Sequence, residues 1–120
     1  MTRVYLGLGS NLGDRRDNLR HAISALGDAG STVATTTDLS VTVQRVSPII
    51  ETPALLPDDA PWEWNKPFLN LVVECDVTGS ADSLLGAIHQ IQDALGRDSK
   101  HRWSPRPIDI DILLLSLIHI

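Results

Sequence analysis

The period of the apolar residues switches several times along this chain, and each switch fixes what the local backbone can become. Arg3 to Leu8 (R-V-Y-L-G-L) carries β-branched and aromatic residues in an extended pattern and reads as an opening strand. Gly7, Gly9, Ser10, Asn11 and Gly13 then read as a turn, with Asn11 and Gly13 expected to take unusual backbone angles and Asp14 placed as a helix N-cap. From Arg15 to Leu26 the period becomes helical, because Leu19, Ala22, Ile23 and Leu26 fall on one face. Gly27 and Gly30 close that helix. The Val- and Thr-rich stretch from Thr32 to Ile50 returns to an extended pattern, with Val41 and Val43 alternating against Thr42 and Gln44. Phe68 to Val77 (F-L-N-L-V-V-E-C-D-V) is a further strand. Ser80 caps a second helix striped by Leu84, Leu85, Ile88, Ile91 and Leu95 and closed by Gly96. Ile108 to Leu114 is the last strand. The order β-α-β-β-α-β predicts an α+β class, ferredoxin-like sandwich: an antiparallel sheet with both helices packed on it.

Between the middle strands, Pro48, Pro53, Pro57, Pro61 and Pro67 punctuate a segment that also holds Trp62 and Trp64. It reads as a long loop, and loops of this length in a compact domain usually carry function. With 120 residues the chain supports a single domain. Its net charge of -5 argues against nucleic acid or an acidic membrane surface as a partner. The lone Cys75 rules out an internal disulfide and suits a cytoplasmic setting, and no apolar run is long enough for a transmembrane segment. His21, His89 and His101 show no ligand spacing and read as surface residues.

Charge is concentrated near the end of the chain. Arg97, Lys100, Arg102 and Arg106 crowd together, and Asp109 and Asp111 follow at once. Side chains alternate along a strand, so the two aspartates share one face while Ile108, Ile110 and Ile112 share the other. Two residues of rise hold the acids roughly 6.5–7 Å apart at the backbone. Such carboxylates repel unless a cation lies between them, and magnesium accepts one or two of them with phosphate and water. An edge strand showing its acids to water would have the same D-x-D pattern. The adjoining arginines favour a phosphate held together with its metal. The glycine turn lacks the Gly-Lys-Ser/Thr ending of a P-loop and does not match G-x-G-x-x-G, so it reads as a tight strand-to-helix connection.

Four blocks, in order, resemble the 6-hydroxymethyl-7,8-dihydropterin pyrophosphokinases of folate biosynthesis. They are Y-L-G-L-G-S-N-L-G-D at Tyr5 to Asp14, E-T-P at Glu51 to Pro53, P-F-L-N at Pro67 to Asn70, and R-W-S-P-R-P-I-D-I-D-I-L-L at Arg102 to Leu114. The resemblance implies an ATP-dependent kinase-type transferase that moves a diphosphate from ATP to the pterin hydroxymethyl group and releases AMP. It implies that Asp109 and Asp111 bind two Mg2+ ions bridging the ATP phosphates. Arg97, Arg102 and Arg106 match basic positions that contact the nucleotide, and Trp103 belongs to the catalytic loop. Phe68 matches the aromatic that stacks on the pterin and Asn70 its hydrogen-bonding partner, while Thr52, Pro53 and Leu55 frame the ring. These roles suit the side chains, since a flat heterocycle wants an aromatic face and an amide offers both donor and acceptor.

The sequence departs from the family's pattern in places. Ser104 stands where a glycine is usual, Gln92 where an acid is usual, and the further arginine often found near Ser99 is missing. Family members continue past the D-x-D strand, so residues 1–114 are expected to form an incomplete pyrophosphokinase domain. Residues 115–120 (L-S-L-I-H-I) are expected to be a non-native tail, one coding of which reads like a sequencing-library adapter. On that expectation the chain by itself is inactive. The native protein would carry the missing C-terminal part, alone or fused to another folate-pathway enzyme. The alternative is a noncatalytic ferredoxin-like module that keeps a pterin or nucleotide pocket without turnover.

Overall fold

The computed structural model of the protein describes residues 1–29, 39–96 and 104–117, with side chains described as far as residue 115. Strand β1 (Thr2–Ser10) leads into helix α1 (Arg15–Gly27), followed by β2 (Ser40–Val46), a short β3 (Ile50–Thr52), β4 (Phe68–Thr78), helix α2 (Ala81–Ala94) and β5 (Asp109–Leu117). Among the described residues the strands form one sheet in the order β2-β4-β1-β5, with β3 also paired to β4. Every pairing is antiparallel. The fold class is the one the periodicity predicts.

The alternation of each strand divides the sheet into two unlike faces. Val4, Leu6 and Leu8 of β1 lie opposite Cys75, Val73 and Leu71 of β4, and all six are buried. Leu19, Ala22 and Leu26 of α1 and Leu84, Ala87, Ile88 and Ile91 of α2 complete this core. Both helix starts follow their capping chemistry. The Asp14 carboxylate accepts from the Asp17 N–H at 3.1 Å, and the Ser80 hydroxyl accepts from the Ser83 N–H at 3.0 Å. Gly96, with φ of +86°, closes α2 in a left-handed conformation that suits glycine.

Some local expectations need correction. Gly7 and Gly9 belong to β1 and not to a turn, because the strand continues to Ser10 and pairs on both sides. Gly13 does adopt a positive φ of 74°, but no described residue other than glycine does, so Asn11 has an ordinary backbone. Leu85 is exposed and lies off the buried stripe of α2. The proline-rich segment contains the short β3 and a single 3-10 turn at Trp62–Trp64. Strand β5 runs past Leu114, with Leu115, Ser116 and Leu117 opposite Val4, Arg3 and Thr2 of β1. His21 and His89 are exposed, as expected, whereas His101 lies outside the described residues. No helix among the described residues is long and apolar enough to cross a membrane.

Candidate functional site

On the face away from the helices, the register of the sheet assembles the site. Gly9 of β1 lies opposite Asn70 of β4 on one side and Asp109 of β5 on the other. Gly7 lies likewise between Val72 and Asp111. Directly paired residues of antiparallel strands share a face. Two rows therefore cross the sheet, Asn70–Gly9–Asp109 and Val72–Gly7–Asp111, with a residue lacking a side chain at the centre of each. Gly7 lets the Leu113 side chain, and Gly9 the Asn70 and Phe68 side chains, close in against β1, and both glycines line the space between β4 and β5.

That space is the floor of a cleft of about 710 Å³. Thr52, Pro53, Leu55, Phe68, Asn70, Arg106, Asp109 and Asp111 all line it, so every described residue singled out in the sequence falls in one place. Arg97, Arg102 and Trp103 lie outside the described residues. That size suits a small-molecule site.

Close approach at Gly9 explains why this position carries no side chain. A methyl group there would come within 3.0 Å of the Asn70 side-chain oxygen and 3.2 Å of the Phe68 ring. On the β4 side, the Asn70 amide donates to the Thr52 hydroxyl at 2.6 Å. The Thr52 hydroxyl can accept or donate, and in the structure the amide nitrogen is the end placed against it. The oxygen then faces Gly9 and the cleft. The half-buried Phe68 is one strand residue pair away, opposite Thr52 of β3.

On the β5 side, Arg106 and Asp109 form an ion pair of 3.5 Å, with both side chains largely shielded from solvent. Asp111, the second acid on this face, is exposed. Two carboxylates on adjacent same-face positions, an open floor and a neighbouring guanidinium fit Mg2+ carried in with phosphate. That ion needs only one or two protein carboxylates and takes its other oxygens from phosphate and water. Among the described residues, no group of three or more potential ligands forms a self-sufficient metal cage.

Three features of the site were not read from the sequence. Asn11, 3% exposed, joins the loop before β5 to the segment before β4. It donates from its backbone to the Arg106 carbonyl (3.1 Å), accepts the Arg106 N–H on its side-chain oxygen (2.8 Å), and donates its amide to the Lys66 carbonyl (2.9 Å). Gln92 of α2, also buried, accepts the N–H of Ile110 at 2.9 Å, between the two aspartates on β5. Arg15, at the start of α1, donates to the Pro67 carbonyl at 3.1 Å and to Glu51 at 2.9 Å. The spacing of Gly7 and Gly9, two apart in a strand, could have signalled a bare stripe. Nothing local signals these six hydrogen bonds, which join residues at least 18 positions apart.

Comparison with known proteins identifies the family of this chain. The family model for 7,8-dihydro-6-hydroxymethylpterin-pyrophosphokinase matches residues 5–120. A folate synthesis bifunctional protein of Chlamydia trachomatis is 41% identical over 110 residues, covering 92% of this chain and 22% of that protein. A 2-amino-4-hydroxy-6-hydroxymethyldihydropteridine pyrophosphokinase of Bacillus subtilis is 38% identical over 113 residues, covering 94% of this chain and 59% of that protein. For a pyrophosphokinase of the same name in Pseudomonas putida, the identity is 32% over 114 residues, with 95% and 82% covered. The chain thus spans about a fifth of the length of the bifunctional relative and about three fifths of the Bacillus enzyme. With the family model matched along nearly its whole length, this chain belongs to the 7,8-dihydro-6-hydroxymethylpterin-pyrophosphokinase family.

Proposed function

We propose that this chain carries the centre that transfers a diphosphate from ATP to the hydroxymethyl group of 6-hydroxymethyl-7,8-dihydropterin, releasing AMP, in folate biosynthesis. The observation that carries the proposal is the row Asn70–Gly9–Asp109, which sets an amide and an acid on opposite sides of one bare strand within a single cleft. A flat heterocycle on the β4 side and a metal-bound polyphosphate on the β5 side would meet over Gly7 and Gly9.

In this reading Phe68 stacks on one face of the pterin, and the Asn70 oxygen receives a donor from its pyrimidinone edge. Thr52, Pro53 and Leu55 frame the ring from the end of β3 and the segment after it. Arg106 holds the polyphosphate beside Asp109, and Arg97, Arg102 and Trp103 complete the nucleotide contacts by family resemblance. Asp109 and Asp111 would hold the magnesium, two ions on the same resemblance. When bound, Mg2+ offsets the charge on the phosphate oxygens and lowers the barrier to attack on phosphorus. In the transfer the pterin hydroxymethyl oxygen bonds to the β-phosphorus of ATP. The bond from that phosphorus to the α,β-bridging oxygen breaks, AMP leaves with that oxygen, and the hydroxyl proton passes to solvent.

The cleft's contribution is mainly alignment, since holding two reactants in line removes a large entropic part of the barrier. The names of the bifunctional relatives support the further proposal that the protein acts joined to, or beside, another enzyme of folate synthesis. A cytoplasmic setting is proposed with it.

The test is product analysis of the complete protein with Mg-ATP and the pterin. AMP and pterin diphosphate should form in equal amounts, and AMP should not form when the pterin is left out. Release of ADP, or AMP formed at the same rate without pterin, would contradict the assignment.

A further inference from the structure

We infer that Asn11 is a positioning residue that holds the two halves of the cleft in register, an inference that rests on the function proposed above. Asn11 touches neither proposed substrate pocket with its own side chain. It follows the last residue of β1, the strand whose glycines form the cleft floor. From there it holds a segment on each side. Its backbone N–H and side-chain oxygen grip both the carbonyl and the N–H of Arg106, at 3.1 and 2.8 Å. Its side-chain nitrogen grips the carbonyl of Lys66 at 2.9 Å, two residues before Phe68.

Arg106 leads into Asp109, and Lys66 leads into Phe68 and Asn70. One buried side chain therefore ties the acidic and basic half of the cleft to the aromatic half. A backbone N–H can only donate and a carbonyl can only accept, so the two bonds demand a short side chain offering an acceptor and a donor together. Asparagine does this, whereas aspartate lacks the donor and serine has a single hydroxyl. Arg15 adds a second hold on the aromatic side only, through the Pro67 carbonyl. Bonds from Asn18 to the Ser10 hydroxyl and the Leu12 carbonyl keep this turn in place without reaching either half.

The halves must be in register because the reaction joins a group held on β4 to one held on β5, and a misplacement of about 1 Å can cost on the order of a hundredfold in rate. Asn11→Asp separates the two grips. It keeps an acceptor for the Arg106 N–H but places a carboxylate oxygen against the Lys66 carbonyl. Asn11→Ala removes both.

The experiment uses the complete protein and compares wild type, Asn11→Asp and Asn11→Ala by steady-state kinetics and by backbone amide chemical shifts. Asn11→Asp should raise KM for the pterin by roughly tenfold or more, from a misplacement below 1 Å, while KM for Mg-ATP stays near wild type. Its shifts should change at residues 66–70 and stay put at 104–109. Asn11→Ala should impair both substrates, lower kcat, and move both sets of shifts. If Asn11→Ala fails to fold, the split in Asn11→Asp decides alone. Equal rises in both KM values in Asn11→Asp, or losses that vanish once samples are matched for folded fraction, would overturn the inference. Should the wild-type protein show no pterin-dependent AMP release, the activity proposal fails by itself. The shift pattern still decides whether Asn11 couples the two segments.

Discussion

At Gly9, a single hydrogen in place of a side chain lets the Asn70 amide and the Phe68 ring lie against the strand. Gly9→Ala puts a methyl group 3.0 Å from the Asn70 oxygen and 3.2 Å from the ring, so one or both must shift. The cost in stability should be about 1–3 kcal/mol, as for other overpacked sites. Pterin affinity should fall more than ATP affinity, which calorimetry with each ligand would show. Phe68→Ala should weaken pterin binding by about 1–3 kcal/mol through lost stacking and burial, again with ATP binding changed far less. Equal losses for both ligands would make Phe68 a packing residue. Asp111→Asn removes ligand charge from an exposed position, whereas Asp109→Asn also breaks the shielded ion pair with Arg106. Each should cut turnover on the order of a hundredfold or more, with the melting temperature close to wild type for Asp111→Asn and lowered for Asp109→Asn. AMP release at limiting magnesium is the measurement, and near-normal rates in both variants would count against the metal role.

Strand β5 carries both aspartates and, among the described residues, pairs on one side only, to β1. Helix α2 steadies it through Gln92, whose side-chain oxygen takes the Ile110 N–H between the acids. Gln92→Leu would leave that buried N–H without a partner and should destabilise the protein by about 1–3 kcal/mol. Denaturant melts would register the loss, and an unchanged midpoint would mean that water or another group replaces the bond. The elements themselves were legible in the sequence. Period-2 and period-3.6 stretches gave the strands and helices, and Asp14, Ser80 and Gly96 marked helix ends. Register was not legible, because it depends on pairing between segments as distant as Gly9 and Asp109. For that reason Gly7 and Gly9 were read as a turn when they line the floor of the cleft. Leu85 was misread for a similar reason: it fits the helical stripe by type, but its angle on α2 points to solvent. Asp109 and Asp111 were legible as a metal-ligating pair from strand alternation beside the arginines, Phe68 and Asn70 only from motif resemblance, and their convergence on one cleft came only with the fold.

Across the whole sheet, the face away from the helices divides in two along the strands. One end is the cleft. Toward the other end of β1, Tyr5 and Arg3 meet Glu74 and Asp76 of β4, with Arg45 and Gln44 of β2 beside them. Arg45 first, and the Tyr5 hydroxyl next, hold the buried Glu74 carboxyl below its ordinary value of 4.5. A lowered folded-state value favours folding above the unfolded value, and this contribution is lost as pH falls through the folded one. The hydrogen bond to Glu74 raises Tyr5 above 10.0, so its contribution is present below that pH and is lost as pH rises through the folded value. Glu74→Gln should therefore lower the melting temperature at neutral pH and flatten its decline below pH 4.5. Thermal melts across the acid range would check this, and parallel curves would contradict it. The central claim, that metal-bound phosphate and pterin share one cleft over Gly7 and Gly9, can be tested without turnover. Mn2+ takes the same oxygen donors as Mg2+ and broadens nearby amide resonances. Titrated into the complete protein with a non-hydrolysable ATP analogue, it should broaden Gly7, Gly9, Asp109 and Asp111 most, reach Asn70 next, and fade along β1 toward Arg3. Combining Asp109→Asn with Asp111→Asn should abolish the effect. Broadening centred on Glu74 and Asp76, or unchanged in that double variant, would contradict the account.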